Sequence, residues 1–274
     1  MHVEFRSLFA LFGLMLFAVG ARCAETSDEY PLRARYPGVP IVVTEDLARN
    51  FDRTTIVDVR SQFEYDTLRI KDAHLLPVTA PGFTDAARRL REGAPGKQIV
   101  FYCNGKTCAK SYDAAVKAMD AKIPNVACYD PGIFDWAKAQ PERAVLLGRS
   151  PVKPEALIDE KRFKERLLEP KEFTARAAGN AVILDVRDYA QRDNPLFPMR
   201  ELRAQLDEKD KLANAFDEAK RGKKTLLVYD AVGHQVRWFQ YHLEANGIAD
   251  YYFMKGGAQA WYDDTLGKIK LGGK

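Results

Sequence analysis

The feature that most constrains the fold of this chain is an internal repeat. The segment Thr-Ile-Val-Asp-Val-Arg at residues 55–60 recurs at 181–187 as Ala-Val-Ile-Leu-Asp-Val-Arg, with Asp185 lying 127 residues after Asp58. Such self-similarity is typical of duplicated structural units. A chain of 274 residues has room for two domains of ordinary size. We therefore expect two copies of one domain.

Two further segments repeat, but at two different separations. Residues 98–103 match 225–230 at 127 residues, whereas residues 132–136 match 257–261 at 125 residues. The register therefore changes after Cys103, and the first copy carries two extra residues in the loop that follows it.

Each copy alternates predicted strands and helices. Runs of β-branched and apolar residues predict buried strands, and apolar residues at helical spacing predict helices. The predicted strands are 55–60, 99–102, 125–129, 181–187, 226–229 and 251–254, and the predicted helices are 111–121 and 236–245. This order implies right-handed crossovers and an α/β fold, in which each domain has a central, mostly parallel sheet flanked by helices.

The repeat also divides the chain into segments. We expect a signal peptide at 1–24, a cysteine-bearing domain at 40–145, a linker at 146–164 and a second domain at 165–268. The linker is predicted from Pro151 and Pro154 among charged residues.

The first residues have the pattern of a secretory leader. The apolar run 8–19 is too short to span a bilayer and ends in small residues. Cleavage is expected after Ala21, with Ala24 as the alternative and an uncleaved anchor left open. The expected location is the periplasm or the extracellular medium, with no stable membrane insertion after cleavage.

Composition excludes several classes of protein. The charge of +4, from 42 Lys+Arg and 38 Asp+Glu, argues against a nucleic-acid partner. Four cysteines are too few for a disulfide scaffold. The four histidines have no metal-ligand spacing and no nucleotide-binding glycine loop occurs, so neither metal nor cofactor is expected.

Several motifs of the first copy together resemble one family. In chain order they are Asp58-Val59-Arg60, Phe63-Glu64-Tyr65, Ala73 with Pro77, Tyr102-Cys103, and residues 132–136. In this order they are similar to the rhodanese family, here in a tandem arrangement. The resemblance implies a sulfurtransferase whose cysteine takes up a sulfane sulfur as a persulfide and passes it to a thiophilic acceptor.

The chain departs from the family pattern at three places. Residues 68–70 are Leu-Arg-Ile where Gly-His-Ile is usual, and Pro131 precedes Gly132 where the second copy has two glycines. The second copy has Asp230 at the position of Cys103, although tandem members usually carry the active cysteine there. The second domain is therefore predicted to be inactive, as a scaffold or a wall of the cleft.

Cys103 is the predicted catalytic residue. It follows a predicted strand and precedes a loop that leads into a helix, and ligands of open α/β sheets bind at such strand ends. Backbone N–H groups and the positive end of the helix are expected to lower the pKa of Cys103. Asn104, Gly105, Lys106, Thr107, Cys108 and Lys110 are the predicted substrate-binding residues. The two lysines suit an anionic donor such as thiosulfate, with a thiol or cyanide as acceptor.

Cys108 remains ambiguous, as a disulfide partner of Cys103, a residue that resolves its persulfide, or a solvent-facing thiol. Cys128 is predicted to pack in the core, and the Asp-x-Arg pairs at 58–60 and 185–187 are predicted to be structural because both copies have them. Helix packing is favoured for Arg237, Trp238 and Tyr241 over lining the cleft. Two other functions stay open: a non-catalytic binding or sensing module, and a dithiol redox protein that uses Cys103 and Cys108.

Overall fold

The computed structural model describes residues 29–192 and 194–267. The predicted leader 1–24, including Cys23, lies outside these residues. Within them, no helix combines the length and the apolar character needed to cross a membrane.

The first half of the described chain forms an α/β domain, the first domain. Its strands are β1 (Thr54–Asp58), β2 (Leu68–Ile70), β3 (His74–Leu75), β4 (Gln98–Tyr102), β5 (Val126–Tyr129) and β6 (Ala144–Leu146). Its helices are α1 (Thr44–Arg49), α2 (Gln62–Thr67), α3 (Phe83–Gly93), α4 (Lys110–Asp120) and α5 (Gly132–Ala139). The sheet is parallel, in the order β3-β1-β4-β5, and β2 and β6 form a separate antiparallel pair.

The second half forms a second α/β domain. Its strands are β7 (Leu167–Leu168), β8 (Ala181–Asp185), β9 (Glu201–Arg203), β10 (Thr225–Tyr229) and β11 (Tyr251–Met254). Helix α6 (Glu160–Lys164) precedes β7, and the other helices are α7 (Pro170–Ala177), α8 (Lys209–Gly222), α9 (Val236–Ala245) and α10 (Gly257–Thr265). The sheet is parallel, in the order β7-β11-β10-β8-β9.

The two central strand pairs have the same register. Asp58 at the end of β1 pairs with Tyr102 of β4, and Asp185 at the end of β8 pairs with Tyr229 of β10. Both pairs are buried on each face of the sheet, which explains their uninterrupted apolar sequences. The predicted fold class is confirmed, and Cys128 lies fully buried in β5, as predicted.

The two domains pack against each other through aromatic side chains. Phe134 of α5 stacks on Trp238 of α9 with ring centroids 5.1 Å apart, and Phe63 of α2 stacks on His242 at 4.7 Å. The Tyr241 hydroxyl accepts a hydrogen bond from the backbone N–H of Ile158 at 2.9 Å. Trp238 and Tyr241 thus have the packing role that the sequence favours.

The predicted linker 146–164 is ordered by packing. It contains a 3-10 turn at Pro154–Ala156 and the helix α6. Val152, Leu157 and Ile158 are each less than 8% exposed and join an apolar cluster that includes side chains of both domains. This segment therefore joins the domains as part of a shared core.

Candidate functional site

The candidate site lies where β1 and β4 end, because a parallel sheet brings the carboxyl ends of its strands to one edge. The chain leaves β4 at Cys103 and passes through residues 103–109, here called the cysteine loop, into α4. The loop rests on the start of α5. The carbonyl of Cys103 accepts the N–H of Ile133 at 3.0 Å, and the backbone approaches Gly132 so closely that a Cβ there would lie 2.4 Å from the nitrogen of Gly105.

A buried ion pair supports the base of this loop. Arg60 donates from Nη2 to Asp58 Oδ2 at 2.6 Å and from Nε to Asp58 Oδ1 at 2.9 Å, and both side chains are fully buried. The Tyr102 hydroxyl donates to the same Asp58 Oδ2 at 2.6 Å. In the second domain, Arg187 and Asp185 form the same pair at 2.8 Å. The structural role predicted for both pairs is therefore confirmed.

Asn104 and Glu64 connect the ion pair to the loop. The Asn104 side chain accepts from Arg60 Nη1 at 3.1 Å and donates to Glu64 Oε1 at 2.9 Å. Glu64 also accepts the N–H of Ser61 at 3.0 Å. Burial opposes ionisation of Glu64, but the positive charges of Arg60 and Lys110 hold its pKa below the usual value. Glu64 was not predicted as a site residue. The Ser-x-x-Glu spacing signals a helix start but not the contact with Asn104.

The two lysines predicted to bind an anion both have carboxylate partners. Lys106 Nζ lies 2.6 Å from Glu29 and 3.4 Å from Asp135, whereas Lys110 Nζ lies 3.7 Å from Glu64. Lys110 remains 43% exposed and stands at the start of α4. Its charge therefore faces both the loop and solvent.

Cys103 is buried beneath the loop. It is 1% exposed, and its Sγ lies 3.2 Å from the carbonyl oxygen of Cys108 and 3.3 Å from Ser111 Oγ. Burial, together with the hydrogen bond that it makes to Cys108, raises the pKa of Cys103 well above the usual value. The expected lowering of the Cys103 pKa is therefore wrong.

Cys108 has the lowered pKa instead. A hydrogen bond from the Cys103 thiol, with N–H groups of Asn104 and Lys110 and the charge of Lys110, lowers the pKa of Cys108 to about 6 against the opposing effect of burial. The Cys103 thiol has one proton, so it donates either to the carbonyl oxygen or to the sulfur of Cys108. Cys108 is partly exposed, and Cys103, Cys108 and Cys128 are all free thiols.

The corresponding loop of the second domain, residues 230–235, also holds an anionic side chain. Asp230 Oδ1 accepts the N–H groups of Val232, at 3.1 Å, and Gly233. Asp230 Oδ2 accepts those of Gln235 at 2.6 Å and Val236 at 3.2 Å. We call these N–H groups the second amide cradle. The carboxylate of this domain therefore occupies its own anion-binding position.

Thr107 and Gly105 complete the set of predicted substrate-binding residues. Thr107 is exposed on the cysteine loop, and Gly105 accepts the N–H of Cys108 at 2.8 Å. Among the described residues, no group of three or more His, Cys, Asp or Glu is arranged to hold a metal ion. The structure thus places the Cys103 sulfur 3.2 Å from the carbonyl oxygen of Cys108, and Lys110 where the cysteine loop enters α4.

Comparison with known proteins finds a rhodanese-like domain at residues 43–139, which match the model of the Rhodanese-like domain family. Among solved structures, a Bacillus halodurans protein has 21% identity and a TM-score of 0.36, covering 51% of this chain and 99% of its own. The thiosulfate sulfurtransferase of Pseudomonas aeruginosa has 19% identity and a TM-score of 0.36, and the match covers 85% of this chain and 46% of that protein. The anaerobic ergothioneine biosynthesis enzyme of Chlorobium limicola has 18% identity and a TM-score of 0.35, and the match covers 83% of this chain and 61% of that protein. None of the curated proteins searched matches the chain.

Proposed function

We propose that this chain is a sulfurtransferase whose first domain moves a sulfane sulfur from an anionic donor, such as thiosulfate, to a thiol or cyanide through a cysteine persulfide. The observation that carries the proposal is a cysteine, Cys103, at the end of a central parallel strand, beneath a loop that leads into α4. Lys110 stands at the start of that helix and is 43% exposed. The rhodanese-like domain at residues 43–139 supports the same chemistry.

The arrangement suits each stage of such a reaction. Thiolates, not thiols, attack a sulfane sulfur, and N–H groups near a helix N-terminus stabilise an anion. The same N–H groups would stabilise a persulfide anion after transfer. Lys110 adds a positive charge for the incoming donor. The sequence names Cys103 as the residue that carries the persulfide, and that assignment stays a prediction.

We further propose that the second domain is a degenerate tandem copy that performs no sulfur chemistry. Asp230 supplies no sulfur and occupies the second amide cradle with its own carboxylate. Export to the periplasm or the medium also remains a proposal, supported by the sequence of residues 1–24. Mass analysis of the mature N-terminus tests it, and an intact Met1 would contradict cleavage.

The test of sulfur transfer is formation of thiocyanate from thiosulfate and cyanide by the full chain. We expect turnover by the wild type, and loss of turnover when Cys103→Ser and Cys108→Ser are combined. His234→Ala is the matched control, because His234 is exposed on the loop of the other domain. Activity in the double variant would refute a persulfide on this loop.

A dithiol redox function is the second candidate, since Cys103 and Cys108 are free thiols of one loop, with the Cys103 sulfur 3.2 Å from the carbonyl oxygen of Cys108. Mass spectrometry of the protein after thiosulfate separates the candidates. A gain of one sulfur atom supports transfer, whereas loss of two hydrogens without added sulfur supports redox chemistry. An unchanged mass supports a binding module.

A further inference from the structure

The segment that precedes the first domain, residues 29–36, lies against the cysteine loop and is here called the strap. Near the middle of the loop, Lys106 Nζ lies 2.6 Å from Glu29 Oε1 and 5.1 Å from the centroid of the Tyr30 ring. The Glu29–Lys106 pair is partly exposed, whereas Tyr30 is only 6% exposed. The strap therefore holds the loop three residues after Cys103.

The strap is also anchored on the two elements that flank the loop. Arg33 Nε donates to Asp130 Oδ2 at 2.8 Å, directly after β5. The Tyr36 hydroxyl donates to Asp113 Oδ1 at 2.7 Å, and its ring stacks on Tyr112 of α4 with centroids 4.8 Å apart. The strap is thus fixed to the end of β5 and to α4, and it reaches the loop between them.

Cys103 is covered while the loop keeps this position. Cys103 is 1% exposed, and its sulfur lies 3.2 Å from the carbonyl oxygen of Cys108. Any reagent that reacts with this sulfur must touch it, so residues 104–108 have to move away first. That movement displaces Lys106 and separates it from the strap. Opening of the loop and release of the strap are therefore one event.

The second domain has a similar anchor but no contact of this kind with its loop. The segment 127 residues after the strap is 156–163, where the Phe163 ring lies 5.8 Å from the guanidinium of Arg237 of α9. Ala156 stands at the position of Glu29. Within the described residues, no hydrogen bond or ion pair joins this segment to the loop of the second domain. The contact with the loop belongs to the copy that has the cysteine.

We propose that the strap keeps the cysteine loop closed over Cys103, and that its release controls the access of reagents and sulfur donors to this sulfur. Glu29 and Tyr30 are the positioning residues, because they hold Lys106. Their ion pair is exposed and therefore weak enough to break and form again during turnover. The proposal rests on the proposed function only in naming a sulfur donor as the molecule that Cys103 meets.

Alkylation of the full chain by iodoacetamide measures this access without a sulfur donor. After digestion with trypsin, Cys103 is recovered in peptide 98–106 and Cys128 in peptide 123–138. Cys128 is fully buried in β5, so its alkylation reports unfolding of the whole domain. Release of the strap should raise the alkylation rate of peptide 98–106 alone.

Three variants of the strap give graded expectations for the alkylation rate of Cys103. Glu29→Gln removes one exposed ion pair and should raise the rate about two- to fivefold. Tyr30→Ala removes a buried ring and should raise it at least about tenfold. Arg35→Gln is the matched control and should change it less than about 1.5-fold, because Arg35 is exposed and lies over the Tyr36 ring at 6.0 Å. Adding about 0.5 M NaCl should raise the rate in the wild type but not in Glu29→Gln.

The outcomes separate the strap from the proposed function. A rise below about twofold in Tyr30→Ala, or an equal rise in Arg35→Gln, would overturn the proposal. Where Tyr30→Ala exposes both peptides equally, Glu29→Gln decides: a selective rise of at least about twofold supports the strap, and its absence overturns it. Thiocyanate formation by the wild type is measured separately, and its absence would refute sulfur transfer whatever the alkylation rates show.

Discussion

The carboxylate of Asp230 provides a direct test of how the second domain is held together at its loop. Asp230 is 2% exposed and accepts four backbone N–H groups, two on each oxygen. Asp230→Asn keeps the size of the side chain and one carbonyl oxygen. The new NH₂ group faces two N–H groups that then have no acceptor. We expect the variant to fold but to open locally at residues 230–236.

The expected magnitude follows from the number of bonds lost. A hydrogen bond to a charged acceptor contributes about 1.5–3 kcal/mol, and two of them are removed. The loop lies at the surface, with Val232 48% exposed, so water replaces part of the loss. We therefore expect the free energy of local opening to fall by about 3 kcal/mol, or about 100-fold in the opening constant.

Native-state hydrogen exchange measures this opening at individual amides. The N–H groups of Gln235 and Val236 should exchange about 100-fold faster in Asp230→Asn than in the wild type. His234→Ala, an exposed change on the same loop, should alter exchange by less than about threefold. A change below about fivefold in Asp230→Asn would refute the energetic role of the carboxylate. Sulfur transfer should be unaffected, and its loss in a folded variant would refute the proposal that the second domain performs no sulfur chemistry.

Three further changes probe other parts of the structure. Asp58→Asn leaves the buried guanidinium of Arg60 without its counter-charge, so the free energy of unfolding, measured by thermal unfolding, should fall by about 3–5 kcal/mol. The exposed control Asp46→Asn should lower it by less than about 1 kcal/mol. Equal losses in the two variants would contradict a structural role for the Asp58–Arg60 pair. Gly132→Ala, at φ +75°, drives a Cβ into the cysteine loop, so thiocyanate formation should fall at least about tenfold even where the domain folds. Unchanged turnover would contradict a role of this close approach in positioning the loop. Burial lowers the pKa of His242 to about 4 from 6.5, so the unfolded chain binds more protons between these values. Stability should therefore fall as the pH drops from about 6.5 to about 4, by at most about 3 kcal/mol, and His242→Gln should flatten this dependence in thermal unfolding; equal slopes would contradict it.

Much of the fold is predictable because its central strands are buried on both faces. β1, β4, β8 and β10 have uninterrupted apolar sequences that identify strands without any tertiary information. β9 has the sequence Glu-Leu-Arg and no such signal. It becomes a strand by pairing with the exposed edge of β8, so it depends on a contact that local sequence does not reveal.

The location of the site is predictable for the same reason, but the ionisation of its cysteines is not. Parallel strands place Cys103 at the binding edge of the sheet. Whether a thiol there ionises depends on burial, which is set by long-range packing over the loop. The N–H of Cys108 donates to the Gly105 carbonyl, and the Cys108 carbonyl lies 3.2 Å from the Cys103 sulfur, which this turn helps to bury. Neither contact has a signature in residue type or spacing.

The two extra residues of the cysteine loop gain a physical meaning from the comparison of the two copies. In the second domain, the strand-end residue itself reaches the amides, because the loop after Asp230 is short and its carboxylate accepts from residues 232–236. In the first domain, the strand-end Cys103 sulfur instead lies 3.3 Å from Ser111 Oγ and 3.2 Å from the carbonyl oxygen of Cys108. The longer loop thus places the Cys108 carbonyl beside the strand-end sulfur, whereas the shorter loop of the second domain places N–H groups beside the strand-end carboxylate.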